Sequence, residues 1–122
     1  MSKITLKSAQ AFANNVESAI DNTTVSREGM FLFGNHIAKR EGYGVIAINF
    51  CGYPTRTTSD RINGILSELT NGKIKVGIKN GRPELRYRTG EKVTIADDEW
   101  VYIDTLSMTQ SENKALTEMV WL

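Results

Sequence analysis

From residue 8 to 21 the chain reads SAQAFANNVESAID, and its apolar positions, Ala9, Phe12, Ala13, Val16, Ala19 and Ile20, recur at helical spacing. The pattern predicts a helix over 8–21 with Ser8 as its N-cap. NTTVSREG at 22–29 reads as a loop. MFLFGNHIA at 30–38 reads as a strand broken by a Gly-Asn step, where Gly34 and Asn35 would make a turn or bulge. YGVIAINF at 43–50 reads as a second strand, and KREG at 39–42 as the hairpin turn between the two. A second helix is predicted over 58–70, with Ile62, Ile65, Leu66 and Leu69 on one face. Asn71 or Gly72 suits its left-handed C-terminal cap.

The strongest local signal is KIKVGIK-NG-RPELRYR, two alternating strands around an Asn-Gly pair. Alternation sends Ile74, Val76, Ile78, Leu85 and Tyr87 toward the core, leaving Lys73, Lys75, Lys79, Arg86 and Arg88 on the opposite face and Arg82 at the turn. EKVTI and EWVYID read as two more strands, and SENKALTEMVWL as a helix begun by Ser111. The sum is an α+β fold, a mostly antiparallel sheet of five or six short strands packed with two or three helices. The 122 residues fit one domain: an N-terminal helix and loop (1–28), a sheet core carrying its helix (29–104) and an acidic C-terminal segment (105–122).

Charge changes the picture by its distribution, since the net value is only +1. Between Lys73 and Lys92 stand seven basic and two acidic residues; from Val93 onward stand six acidic residues and one lysine. The chain is therefore dipolar, a basic middle followed by an acidic tail. No apolar run has the length of a membrane helix, the N-terminus lacks the apolar core of a secretion signal, and the single cysteine, Cys51, has no partner for an internal disulfide. These features predict a cytoplasmic protein.

Candidate chemistry is thin. One histidine and one cysteine do not make a zinc site, and no phosphate-loop or dinucleotide fingerprint is present. Neither a metal nor another cofactor is expected. His36 reads as a turn or strand histidine, Cys51 as a small buried hydrophobe, and DDE at 97–99 as a solvated turn. A Cys51–His36 nucleophile pair is the one enzymatic alternative.

Two stretches invite a binding reading. In CGYPTRTTSDRINGI (51–65), Thr57 or Thr58 can cap the helix, with Thr57 and Asp60 resembling a capping box. That leaves Tyr53, Arg56 and Arg61 unexplained, and beside a helix N-terminus they suit a phosphate or nucleotide. The basic hairpin 73–88 can lie along a phosphate backbone or simply protect an exposed sheet from aggregation. The candidate binding residues are thus Tyr53, Arg56, Thr57, Thr58, Arg61, Lys73, Lys75, Lys79, Arg82, Arg86 and Arg88. Leu116, Met119, Val120, Trp121 and Leu122 make 116–122 a candidate surface for a homo-oligomer.

FLFGNHIAKRE followed by GYPTRTTSDRINGI and an EWVYID strand resembles a family of small uncharacterised bacteriophage proteins. Those proteins carry an LxGNxIA strand and then GWxTxTTxxRLN. The resemblance covers roughly residues 30–103, with Tyr53 in place of the tryptophan and Ile62 in place of the leucine; the N-terminal helix and the acidic tail lie outside it. Gly34, Asn35, Gly52, Thr55, Thr57, Thr58, Arg61 and Asn63 match the motifs. The resemblance implies a phage origin and an accessory role in host takeover or defence evasion, with a host protein or nucleic acid as partner. Together with the thin chemistry, this predicts a non-enzymatic binding protein, or alternatively an RNA, DNA or nucleotide-binding module using the hairpin and the Tyr53/Arg56/Arg61 cluster.

Overall fold

The structure, a computed structural model, describes residues 2–106. Helix α1 (Lys3–Ala13) leads into a meander of five strands: β1 (Ser18–Ile20), β2 (Thr23–Ser26), β3 (Gly29–Leu32), β4 (Asn35–Gly42) and β5 (Val45–Ile48). Helix α2 (Arg56–Thr70) follows, then β6 (Ile74–Lys79), β7 (Arg82–Tyr87), β8 (Lys92–Thr94) and β9 (Val101–Asp104). All pairings are antiparallel; β9 returns to β5, giving one sheet of order β1-β2-β3-β4-β5-β9 and a second of order β6-β7-β8. The fold is α+β as the pattern predicts, but the described residues hold nine strands in two sheets.

The N-terminal segment departs most from its periodicity. Ser2, not Ser8, caps α1, its side chain accepting from the Thr5 amide, and Ser8 is a buried residue within the helix. The helix stops at Ala13 because Asn14 caps it and Asn15 turns left-handed at φ 55°, a conformation that asparagine tolerates. Ser18–Ile20 then pairs with Thr23–Val25, in the stretch read as a loop. Val16 and Ala19, assigned to an apolar helical stripe, are exposed.

The β-meander turns on residue–glycine pairs. Phe33-Gly34 joins β3 to β4, Tyr43-Gly44 joins β4 to β5, and Asn80-Gly81 joins β6 to β7, every one of these residues having positive φ. Such pairs match the twist of antiparallel strands. KREG is therefore not the turn; it extends β4, and Tyr43-Gly44 does the turning. The Gly-Asn step is not a break within one strand: the chain reverses fully at Phe33-Gly34, and Asn35 opens β4 opposite Leu32.

Both sheets share one core. Phe12, Met30, Ile37, Ile48, Ile62, Ile65, Leu66, Ile74, Leu85 and Ile103 pack in a single cluster, with α2 running between α1 and β6. Three nearby positions of α2 hold this arrangement. At Gly64 a Cβ would lie 2.6 Å from Thr5 Cγ2, so its absence lets α1 cross closely. The Asn63 side chain donates to Val76 O at 2.9 Å and accepts from Val76 N at 2.8 Å, closing the free edge of β6.

Arg61, only 6% exposed, is the third. Its guanidinium donates to Thr23 Oγ1 on β2, to Thr5 Oγ1 on α1 and to Asn22 Oδ1, and it pairs with Asp60 at 3.3 Å. Removing a buried charged donor strands several polar partners. Arg61→Met is expected to cost about 2–4 kcal/mol of unfolding free energy in a urea titration. Arg61→Lys should lose nearly as much, since an ammonium cannot reproduce the planar fork. A loss below about 1 kcal/mol for Arg61→Met would remove Arg61 from this structural role.

Candidate functional site: a basic sheet face and an apolar groove

The sequence-derived residues separate into three places. Arg61 is turned inward and its donors are committed to the fold, so it belongs to the packing of α2 and not to an anion grip. The cap is also corrected: Thr55, not Thr57 or Thr58, sits at the N-cap and accepts from the Thr58 amide at 3.3 Å. Asp60 accepts from Thr5 Oγ1 at 2.6 Å and so serves the helix pair instead of a capping box.

Tyr53, Thr55, Thr57 and Thr58 line a groove of about 630 Å³, shared with Leu32, Phe33, Asn35, Ile37 and Phe50. The reversal Cys51-Gly52, again with positive φ at both residues, brings Tyr53 to its rim. Phe33 faces it from the β3–β4 turn and is 72% exposed. None of the basic hairpin residues lines this groove. Arg56 is exposed at the first turn of α2 and is not among its lining residues either.

The basic residues gather on the outer face of the three-stranded sheet. Register places Lys75 opposite Arg86, Gly77 opposite Glu84 and Lys79 opposite Arg82, while Arg86 also faces Lys92 on β8. Alternation buries Ile74, Val76, Leu85 and Tyr87 on the inner face as expected. Burial pushes the Tyr87 phenol up to about 12, helped by Glu91, so it stays neutral. Lys92 joins the basic face although its strand lies beyond the predicted hairpin; the signal was its place in EKVTI, one strand further along the same alternation.

Among the described residues Glu84 is the one acid in this face. It accepts from Arg86 Nε at 2.7 Å. That bond, with the positive charge of Arg86, Lys92 and Lys79, holds its carboxyl below the ordinary range. Arg86 lies directly over Gly77, where a Cβ would be 2.2 Å from the guanidinium carbon. A glycine inside a strand here makes room for a flat guanidinium. Arg88 reaches the other way, donating to Asn71 O at the C-terminus of α2 at 3.0 Å, which suits the negative end of the helix dipole. Lys73 is held beside it, its carbonyl accepting from the Arg88 amide. Lys75, Lys79, Arg82 and Lys92 have no ion-pair partner among the described residues.

The Cys51–His36 pair does not assemble. The thiol contacts the backbone carbonyls of His36 and Asn49 at 3.3 and 3.6 Å. Burial, with Asp98 nearby, pushes the thiol up from its ordinary value. The His36 ring instead stacks on Phe31, meets Trp100 edge-on and donates from Nε2 to Glu28 O. Asp97, Asp98 and Glu99 are exposed, and no metal-binding group of three appears among the described residues. No helix among them is long and apolar enough to cross a membrane. The candidate helix from Ser111 and the surface 116–122 lie outside the described residues.

The family model described as Kyanoviridae Gp96 protein matches residues 1–110. The match takes in the N-terminal helix, which the motif resemblance left out. No curated protein and no solved structure matches the chain.

Because the folded-state value of Glu84 is depressed, its pairing stabilises fully above the ordinary carboxylate range near pH 4.3. The contribution disappears as pH falls through the lower folded value. Glu84→Gln should therefore flatten the acid limb of a melting-temperature profile and leave a smaller difference between pH 7 and pH 3. Parallel profiles for the two proteins would show that Glu84 titrates normally.

Proposed function

We propose, because this chain belongs to the Kyanoviridae Gp96 protein family of phage proteins, that it is a phage-encoded, non-enzymatic binding protein that engages a nucleic-acid backbone in the host cytoplasm. The observation that carries the reading is the register of Lys75, Lys79, Arg82, Arg86 and Lys92 on one sheet face. Strands in an antiparallel pair lie about 4.8 Å apart, so the face presents a compact two-dimensional array of cations. Phosphate contact by lysine and arginine gives affinity without reading bases. Glu84 does not cancel this array; it fixes Arg86 flat on Gly77 and leaves the remaining cations outward. Among the described residues the face holds no tyrosine, tryptophan or phenylalanine for base stacking, which favours backbone over base recognition.

A second reading has its own support. Phe33 takes a left-handed conformation at φ 50°, where a bulky residue is costly, while the equivalent turn position in the β6–β7 hairpin is Asn80. An exposed aromatic kept at such a position suits contact with another molecule better than it suits the turn. With Tyr53 across the groove, it would receive an apolar side chain from a host protein.

Fluorescence anisotropy with a labelled single-stranded RNA should show binding whose log–log salt slope shrinks by about 2 in Lys79→Ala/Arg82→Ala/Lys92→Ala. Tyr53→Ala should leave that slope unchanged. Binding that is absent at low salt, or equal in the triple variant, would sink the nucleic-acid reading. For the groove, Phe33→Asn is expected to raise stability by roughly 0.5–1 kcal/mol by relieving the turn. A clear loss instead would make Phe33 a structural residue.

A further inference from the structure

A second concavity, on neither the groove nor the basic face, lies where the end of α1 meets the β4–β5 turn. It has a volume of about 270 Å³, and its lining includes Phe12, Ala13, Arg40, Tyr43, Ile46 and Leu69. Arg40 projects from β4 and lays its guanidinium over the Phe12 ring, 4.3 Å from the centroid. That contact satisfies the face of the cation but none of its N–H groups. One terminal nitrogen of Arg40 is buried with no hydrogen-bond partner. The acid next to it in sequence, Glu41, is engaged by Lys39 at 3.3 Å. Among the described residues no aspartate or glutamate lines the concavity. Arg40 as a whole is half-buried, but a buried N–H group of a cation left without an acceptor is costly and calls for an explanation.

The surrounding geometry favours a ligand over a packing defect. The pocket mouth is shaped by Gly42, Tyr43 and Gly44, all at positive φ, and Tyr43 is fully exposed. A tyrosine held left-handed and in solvent contributes little to the turn, for the same reason as Phe33. The remaining walls are mostly apolar, and the one hydroxyl among them, Thr105 Oγ1, is spent on Gly44 O at 2.7 Å. One guanidinium, with no second cation among the described lining residues, suits a monoanion, and its planar fork suits a carboxylate.

We propose that this pocket binds a small monocarboxylate with an apolar body, the carboxylate against Arg40 and the body over Phe12, Ala13 and Leu69. Arg40 supplies the nitrogen that lacks an acceptor, Phe12 fixes the plane of the guanidinium, and the Tyr43 turn borders the pocket. The site shares no lining residue with the groove, so it stands or falls independently of the proposed nucleic-acid face.

The test is an amide NMR titration of the full chain with hexanoate, with hexan-1-ol as the uncharged control. Saturable shifts at Ala13, Gly42, Tyr43 and Gly44 are expected, with hexan-1-ol binding at least about tenfold more weakly, the worth of a charge-assisted bond. Arg40→Met should bring hexanoate down to the level of the alcohol; the wild-type ratio of the two probes decides the matter even if that variant does not fold. Equal affinity for the two probes, or no saturable shift with hexanoate, would overturn the proposal. So would shifts that extend to residues 107–122 on Arg40→Met without added ligand, which would assign the acceptor to this chain's own carboxylates.

Discussion

The Arg61 guanidinium is the point through which the two helices and the large sheet are joined. It lies on α2, yet its partners are Thr5 on α1, Thr23 on β2 and Asn22 in the preceding turn. A planar donor group can meet several acceptors at fixed angles at once, so it sets orientation as well as distance. The apolar core around it, from Phe12 to Ile65, supplies most of the driving force but is non-directional. Directional constraint comes from the polar residues of α2: Arg61 toward α1 and β2, Asn63 toward β6. Gly64 between them lets the helices approach closely enough for those bonds to form.

The turns carry a second constraint. Tight reversals with both central residues at positive φ keep neighbouring strands adjacent and let a short chain build a meander with few loop residues. Asn80 fills such a position at low cost. Phe33, Tyr43 and Cys51 fill equivalent positions at higher cost, and each stands at or beside a concavity or a half-buried thiol. Each of the two concavities is bordered by one of these turns, the groove by Phe33 and the pocket by Tyr43.

Charge is arranged by the same strand geometry. Period-two alternation separates Ile74, Val76, Leu85 and Tyr87 from the lysines and arginines between them. The single interruption, Glu84, is neutralised locally by Arg86 above Gly77. Arg88 is diverted to the C-terminus of α2 and stabilises a helix end. The outward cations are therefore a subset of the basic residues, chosen by which of them the fold engages.

Much of this was legible in the residue order. Local rules found α2, its left-handed end at Asn71, the Asn80-Gly81 hairpin, β9 and the α+β class, because each rests on spacing or turn chemistry within a few residues. The N-terminal stripe misled because Val16, Ala19 and Ile20 have helical spacing, whereas the chain reverses at Asp21, with φ 53°, and Ser18–Ile20 pairs with Thr23–Val25, a strand that is itself held by β3. Arg61 beside a helix start looked like an anion grip, since its partners Thr5 and Asn22 lie far away in sequence. Lys92 entered the basic face only through its register with Arg86, and the unpartnered nitrogen of Arg40 exists only once Phe12 and β4 are packed together. The chain by itself determined which segments are apolar, where it turns and how its charge is divided. Tertiary structure alone decided which polar groups are consumed by packing and which are left facing a partner, because burial and hydrogen bonding between distant residues are properties of the assembled core.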